Sequence, residues 1–227
     1  MPTMDGPFDA VLFDWRGTLV TTPTHAEWVG EAMRRIGRPA QDDAVEKLAA
    51  LLADAEAHLD GPGVDCDADL HRRTYLTTFA ELGIEPDLAD ALYAVESDPT
   101  VNAFGSDVAD VLTRLHRAGL RIAVISDIHI DVRPYFAASG LGGLVDVFTL
   151  SFEQGVQKPD PRMFTRTLAA LDVAPHRALM VGDRSRPDGA AVEAGVPTFL
   201  LPPLTRVEER RLHLVLALTG AETSAGG

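Results

Sequence analysis

A chain of 227 residues with 46% hydrophobic content can build one large domain or a core with a smaller insert, and its single cysteine, Cys66, excludes an intramolecular disulfide framework. The formal net charge of −14 argues against nucleic acid or an anionic membrane surface as partner, since long-range repulsion opposes association; a small anionic substrate in a metal-containing cleft is still permitted. No apolar run reaches membrane-span length, and MPTMDGPFDA lacks the basic and apolar regions of a signal peptide, so a cytoplasmic location is expected.

The first element is the run FDAVLFDWRGTLV, Phe8 to Val20, an apolar strand that delivers Asp14 into a tight Gly17-Thr18 turn. Ligands of open α/β sheets bind at the carboxyl ends of such strands. The segment TTPT then reads as a turn and helix cap. Helical patterns follow over Thr24–Ile36, Asp42–Leu59, Asp67–Leu82 and Pro86–Glu96, separated by glycine- and proline-containing breaks such as Gly61-Pro62-Gly63. From Ser97 onward strands and helices alternate. Helix Asp107–Ala118 precedes strand Arg121–Ser126, and helix Val132–Ser139 precedes a strand near Val145–Leu150. Helix Pro161–Leu171, strand Ala178–Gly182, helix Pro187–Ala194, strand Thr198–Leu201 and a last helix over Arg206–Leu218 complete the chain, with AETSAGG as a frayed tail. This alternation predicts an α/β fold with a doubly wound parallel sheet, interrupted after its first strand by a helical insert.

Three segments besides the first carry chemistry. LRIAVISD ends in Ser126 and Asp127, VQKPDP places Lys158 before a helix start, and ALMVGDRSRPD ends in Asp183 with Asp188 five residues on. Read singly, each residue has an ordinary role: Ser126 as a helix cap, Lys158 as a solvated lysine, Asp183 as a turn residue, Asp188 as a helix N-terminal acid. The ordered set Asp, Ser, Lys and paired Asp resembles the four motifs of the haloacid dehalogenase superfamily, from about Phe8 to Leu201. That resemblance implies a Rossmann-like core formed by residues 1–20 and 98–227 and a helical cap formed by 21–97. It also implies a Mg²⁺-dependent hydrolase acting on a small phosphorylated metabolite. The amphipathic C-terminal helix RVEERRLHLVLAL could pack on the core or on a neighbour, so a monomer or homodimer is expected.

By the same resemblance Asp14 is the nucleophile and Mg²⁺ is bound by Asp14, the backbone carbonyl of Arg16 and Asp183. Asp188 is expected at the metal or beside Lys158. Ser126 and Lys158 would hold phosphoryl oxygens, with Thr18, Asp127 and His129 nearby. Thr18 serves equally well as a turn-fixing residue. The departure is Arg16, where phosphatases of the superfamily carry the acid that protonates the leaving oxygen. A guanidinium cannot shuttle protons, and positioned acid–base catalysis is worth about 10²–10⁴ in rate. Arg16 therefore marks either an enzyme with a substitute for that acid or a silenced site that binds a phosphorylated ligand or a partner protein. His129, with an ordinary pKa of about 6.5, is the first candidate substitute, and His25 the second. A Schiff-base route to carbon–phosphorus cleavage would need Lys47, which reads as an exposed helical lysine. Metal-free carbon–halogen cleavage fits poorly with an intact Asp183. Cys66 reads as an incidental thiol.

Overall fold

The computed structural model describes residues 6–223. Its sheet has five parallel strands in the order β3-β2-β1-β4-β5: β1 Ala10–Phe13, β2 Arg121–Ser126, β3 Val147–Leu150, β4 Ala178–Gly182 and β5 Thr198–Leu200. The four residues of β1, AVLF, are fully buried, because a central parallel strand has helices over both faces. Val11 and Phe13 pack with Val111, Leu112 and Leu115, whose spacing along α5 (Val108–Arg117) makes one apolar face. Ala10 and Leu12 turn the other way, onto Met163, Phe164, Leu168 and Leu171 of α8 (Pro161–Leu171).

This order places the reversal of the doubly wound sheet at β1. Phe13 is level with Val124 of β2 on one side and with Val181 of β4 on the other. The residues that follow these three strands therefore open onto one crevice, the ligand position of such sheets.

Between β1 and β2 the chain forms α1 (His25–Arg35), α2 (Asp42–Leu59), α3 (Ala68–Glu81) and α4 (Pro86–Glu96). α1 begins with a capping box, in which the Glu27 N–H donates to the Thr24 hydroxyl and the Thr24 N–H to the Glu27 carboxylate. These helices share their own apolar cluster, centred on Trp28, Val29, Leu52, Phe79 and Leu92. The remaining helices are α6 (Arg133–Ala138), α7 (Ser151–Gln154) and α9 (His213–Thr219).

Two expected helices differ. Over Pro187–Ala194 the chain forms a 3₁₀ turn at Gly189–Ala194, because Asp188 folds its carboxylate back onto the N–H groups of Asp183 and Arg184. The expected last helix shrinks to α9. The preceding segment is drawn across the nucleophile loop: Leu204 N–H donates to Gly17 O, Ser106 N–H to Val207 O, and Arg211 to the carbonyls of Gly17, Thr18 and Pro202. Asp107 then accepts from the Leu212 N–H at the helix start. The tail expected to fray lies mostly outside the described residues, as does the start of the N-terminal segment. Among the described residues, no helix is long and apolar enough to cross a membrane.

Candidate active site

The loop after β1 is tight for a local reason. Trp15 O accepts from the N–H groups of Thr18, Leu19 and Val20, so the chain reverses directly beyond Asp14. Gly17 has φ +83°, and a Cβ there would lie 2.5 Å from Asp183 Oδ2. Glycine is needed both for the backbone angle and for the close approach of the β4 loop. Thr18 is fully buried and donates to Asp183 Oδ1 at 3.2 Å, so it positions that carboxylate.

Lys158 is 1% exposed, and its Nζ donates to Asp14 Oδ1 and Asp188 Oδ1, both at 2.6 Å, and to Ile125 O at 3.3 Å. Burial opposes its charge, but the carboxylates of Asp14 and Asp188 more than offset this and hold it protonated. Burial pushes the Asp14 carboxyl above its ordinary range against the pull of that ammonium. Both oxygens of Asp188 are engaged, one by Lys158 and the other by the N–H groups of Asp183 and Arg184. Expected at the metal or beside Lys158, Asp188 lies beside Lys158 and joins the Lys158 and Asp183 loops.

Ser126 ends β2, is 2% exposed, and its hydroxyl makes no hydrogen bond to protein among the described residues. It does not cap α6, whose first turn begins several residues later. Asp127, expected near the phosphoryl group, accepts instead from the Lys158 N–H at 2.7 Å and from Arg184 at 3.1 Å. Its carboxylate thus ties the Lys158 backbone and the Arg184 guanidinium to the loop after β2.

Asp14, Ser126 and Asp183 line one cavity of about 350 Å³ together with Arg16, Asp65 and His129. One oxygen from each of Asp14, Asp183 and Asp188 lies within 4.8 Å of the others. Among the described residues, the carboxylates of Asp14, Asp127 and Asp188 form ion pairs with two cations, Lys158 and Arg184, and Asp183 adds a further carboxylate, which leaves an excess matching one divalent ion. Hard oxygen donors with surplus negative charge suit Mg²⁺.

Arg16 sends its guanidinium to Glu96 at the end of α4, with Nη1 2.7 Å from Oε1. It remains charged, because Glu96 outweighs the opposing effect of burial. His129 faces the cavity as expected, but its surroundings do not make it an acid. It is 4% exposed, stacks on His71 with centroids 3.4 Å apart, and shares a 2.9 Å contact with Ser97 Oγ. Burial, and then the Arg16 charge, push its pKa down to about 3, so it is neutral near pH 7. His25 also lines the cavity, whereas Lys47 is exposed on α2. Cys66 is partly buried, and burial pushes its thiol up to about 11.

Sequence reasoning missed Arg184, Asp65 and Glu96. Arg184 stands directly after Asp183 and reaches Asp127 and Asp60 at 3.1 Å each, tying the core to the end of α2. Its adjacency to a motif acid was the available signal. Asp65 follows the Gly61-Pro62-Gly63 break, a turn whose destination the sequence does not encode.

The chain is similar to known hydrolases. Over 208 residues, 88% of this chain and 84% of the relative, the protein is 28% identical to the plasmid phosphoglycolate phosphatase of Cupriavidus necator. It is 37% identical over 78 residues to the phosphoserine phosphatase of Thermus thermophilus, a match spanning 34% of this chain and 31% of that protein. The magnesium-bound HAD-hydrolase YfnB of Bacillus subtilis superposes with a TM-score of 0.70 at 17% identity, over 93% of this chain and 98% of that one, which shows a shared fold. The model of the haloacid dehalogenase-like hydrolases matches residues 8–195, so the chain belongs to that family.

Proposed function

We propose that this protein is a Mg²⁺-dependent phosphomonoesterase for a small phosphorylated metabolite, working through an aspartyl-phosphate at Asp14. The observation that carries this is the convergence of Asp14, Ser126, Lys158 and Asp183 at the level carboxyl ends of β1, β2 and β4. Its relatives among phosphoglycolate and phosphoserine phosphatases support the choice of a phosphate ester.

The Asp14 carboxylate oxygen attacks phosphorus and the bond to the leaving oxygen breaks. Lys158 holds the attacking carboxylate in place and offers its ammonium to the phosphoryl oxygens. The Ser126 hydroxyl, free of partners among the described residues, donates to another of these oxygens. Water then attacks phosphorus, and the bond to Asp14 breaks, restoring the carboxylate. Asp14, Asp183 and the Arg16 carbonyl would hold Mg²⁺, which supplies positive charge against the phosphoryl oxygens. Thr18 and Asp188 fix the carboxylate and the ammonium on which the chemistry depends.

The test is turnover of p-nitrophenyl phosphate by the wild type and by Asp14→Asn, each with Mg²⁺ and with a chelator. Release of phosphate by the wild type that vanishes in the variant and with chelator is expected. Equal rates for the two proteins would show that Arg16 marks a silenced site.

A further inference from the structure

The role vacated at position 16 needs a group that can give a proton to the leaving oxygen and later take one from water. Several cavity residues are already committed. Glu96 is paired with Arg16, Asp127 with Lys158 and Arg184, and Asp60 with Arg184. His129 is neutral and tied to Ser97.

Asp65 is different. It sits in the short 3₁₀ turn Val64–Cys66 between α2 and α3, its side chain is 15% exposed, and it lines the cavity that holds Asp14. No N–H or O–H of the described protein donates to its carboxylate; the nearest basic side chain is the His71 imidazole, with Nε2 at 3.7 Å. The segment from Asp60 to Asp65 is held by three tethers, each leading to a residue close to a catalytic motif. Ser151 Oγ donates to Asp65 O at 2.7 Å while accepting from the N–H of Ile128, two residues past Ser126. Gly63 N–H donates to Oε1 of Gln157, the neighbour of Lys158, at 2.7 Å. Arg184, the neighbour of Asp183, holds Asp60. The helical insert is thus pinned at Asp60, Gly63 and Asp65 to all three motif loops, and the uncommitted Asp65 carboxyl group lines the cavity there.

Resting on the phosphatase function proposed above, we infer that Asp65 is the acid–base residue of this enzyme, supplied by the helical insert in place of the acid absent at position 16. In the first step the P–O bond to the leaving group breaks, its electron pair stays on that oxygen, and the Asp65 carboxyl proton moves there to give the free alcohol. In the second step the Asp65 carboxylate takes a proton from water as the water oxygen bonds to phosphorus. The bond to Asp14 breaks, inorganic phosphate leaves, and Asp65 is again protonated. The surroundings suit both steps. Burial, then the charges of Asp127, Asp60 and Glu96, push its pKa up to about 7 against the pull of Arg16. His71 and His129 add no positive charge, since burial pushes their pKa values down to about 2 and 3.

The test compares wild type, Asp14→Asn and Asp65→Asn on glycerol 2-phosphate, whose leaving oxygen needs a proton, and on p-nitrophenyl phosphate, whose leaving oxygen does not. Asp65→Asn is expected to lower kcat/KM for the alkyl ester by about 10²–10⁴ and for the aryl ester by less than tenfold. A base-labile phosphoryl label should accumulate on Asp14 in this variant during aryl turnover. The wild-type kcat/KM for the alkyl ester should fall as pH rises through about 7, where Asp65 loses its proton, and this limb should be absent from Asp65→Asn. Unchanged kinetics, or equal losses on both esters without label, would overturn the role of Asp65 while leaving the phosphatase intact. A wild type without turnover, or one matched by Asp14→Asn, would bring down the phosphatase function itself and this role with it.

Discussion

Lys158 shows how much one side chain carries. Its ammonium is the shared partner of two buried carboxylates, and removing one member of a buried ion group typically costs about 3–5 kcal/mol, because a charge is left uncompensated. Lys158→Met is expected to lower the urea midpoint clearly and to abolish phosphate release. Loss of activity with an unchanged midpoint would mean that Asp14 and Asp188 relax by taking up a proton. Arg16 teaches the complementary point. Its identity, legible in the sequence, departs from the acid that the family resemblance leads one to expect there, whereas its pairing with Glu96, eighty positions along the chain, depends on where α4 ends.

Among elements, the loop after β1 and the loop after β4 are coupled through Gly17. Gly17→Ala would place a Cβ against the Asp183 carboxylate at a backbone angle that side chains avoid. A loss of roughly 1–3 kcal/mol is expected, read as a lower urea midpoint, with weaker Mg²⁺ dependence of turnover because Asp183 must move. A midpoint within a few tenths of the wild type would show that the β4 loop yields freely. The strands and most helices were legible because their apolar spacing matches one buried face or two. The last helix was not: Arg206 to Leu212 has an acceptable helical pattern, but Gly17, Thr18 and Asp107 offer its backbone and Arg211 better partners.

At the scale of the whole molecule, the junction between insert and core should govern pH stability in two opposing ways. His71 and His129 are held below their ordinary pKa, so the unfolded chain binds more protons under mild acid, and folding weakens as pH falls below about 6.5. Asp65 is held above its ordinary pKa, so burying it costs most when it is ionised, above pH 7, and least near pH 4. Asp65→Asn is therefore expected to melt higher than the wild type at pH 8, by a stabilisation on the order of a few kcal/mol, and to lose most of that advantage at pH 5. Thermal melts at the two pH values decide it; an equal advantage at both would mean that Asp65 is not held protonated by its surroundings.

The sequence by itself determined the α/β class, the strands, the helical insert, and a nucleophile-like Asp14 with Ser126, Lys158 and Asp183 in order. These follow from local spacing and from residues that stand at strand ends, which a parallel sheet must bring together. Only the tertiary structure decided that Asp188 meets Lys158 and the Asp183 loop, that Asp127 meets Lys158 N–H and Arg184, that burial pushes the His129 pKa down, and that Asp65 lines the cavity. Those outcomes depend on burial and on partners far apart in the chain, and a carboxylate or imidazole takes its chemistry from such surroundings, which no local pattern encodes.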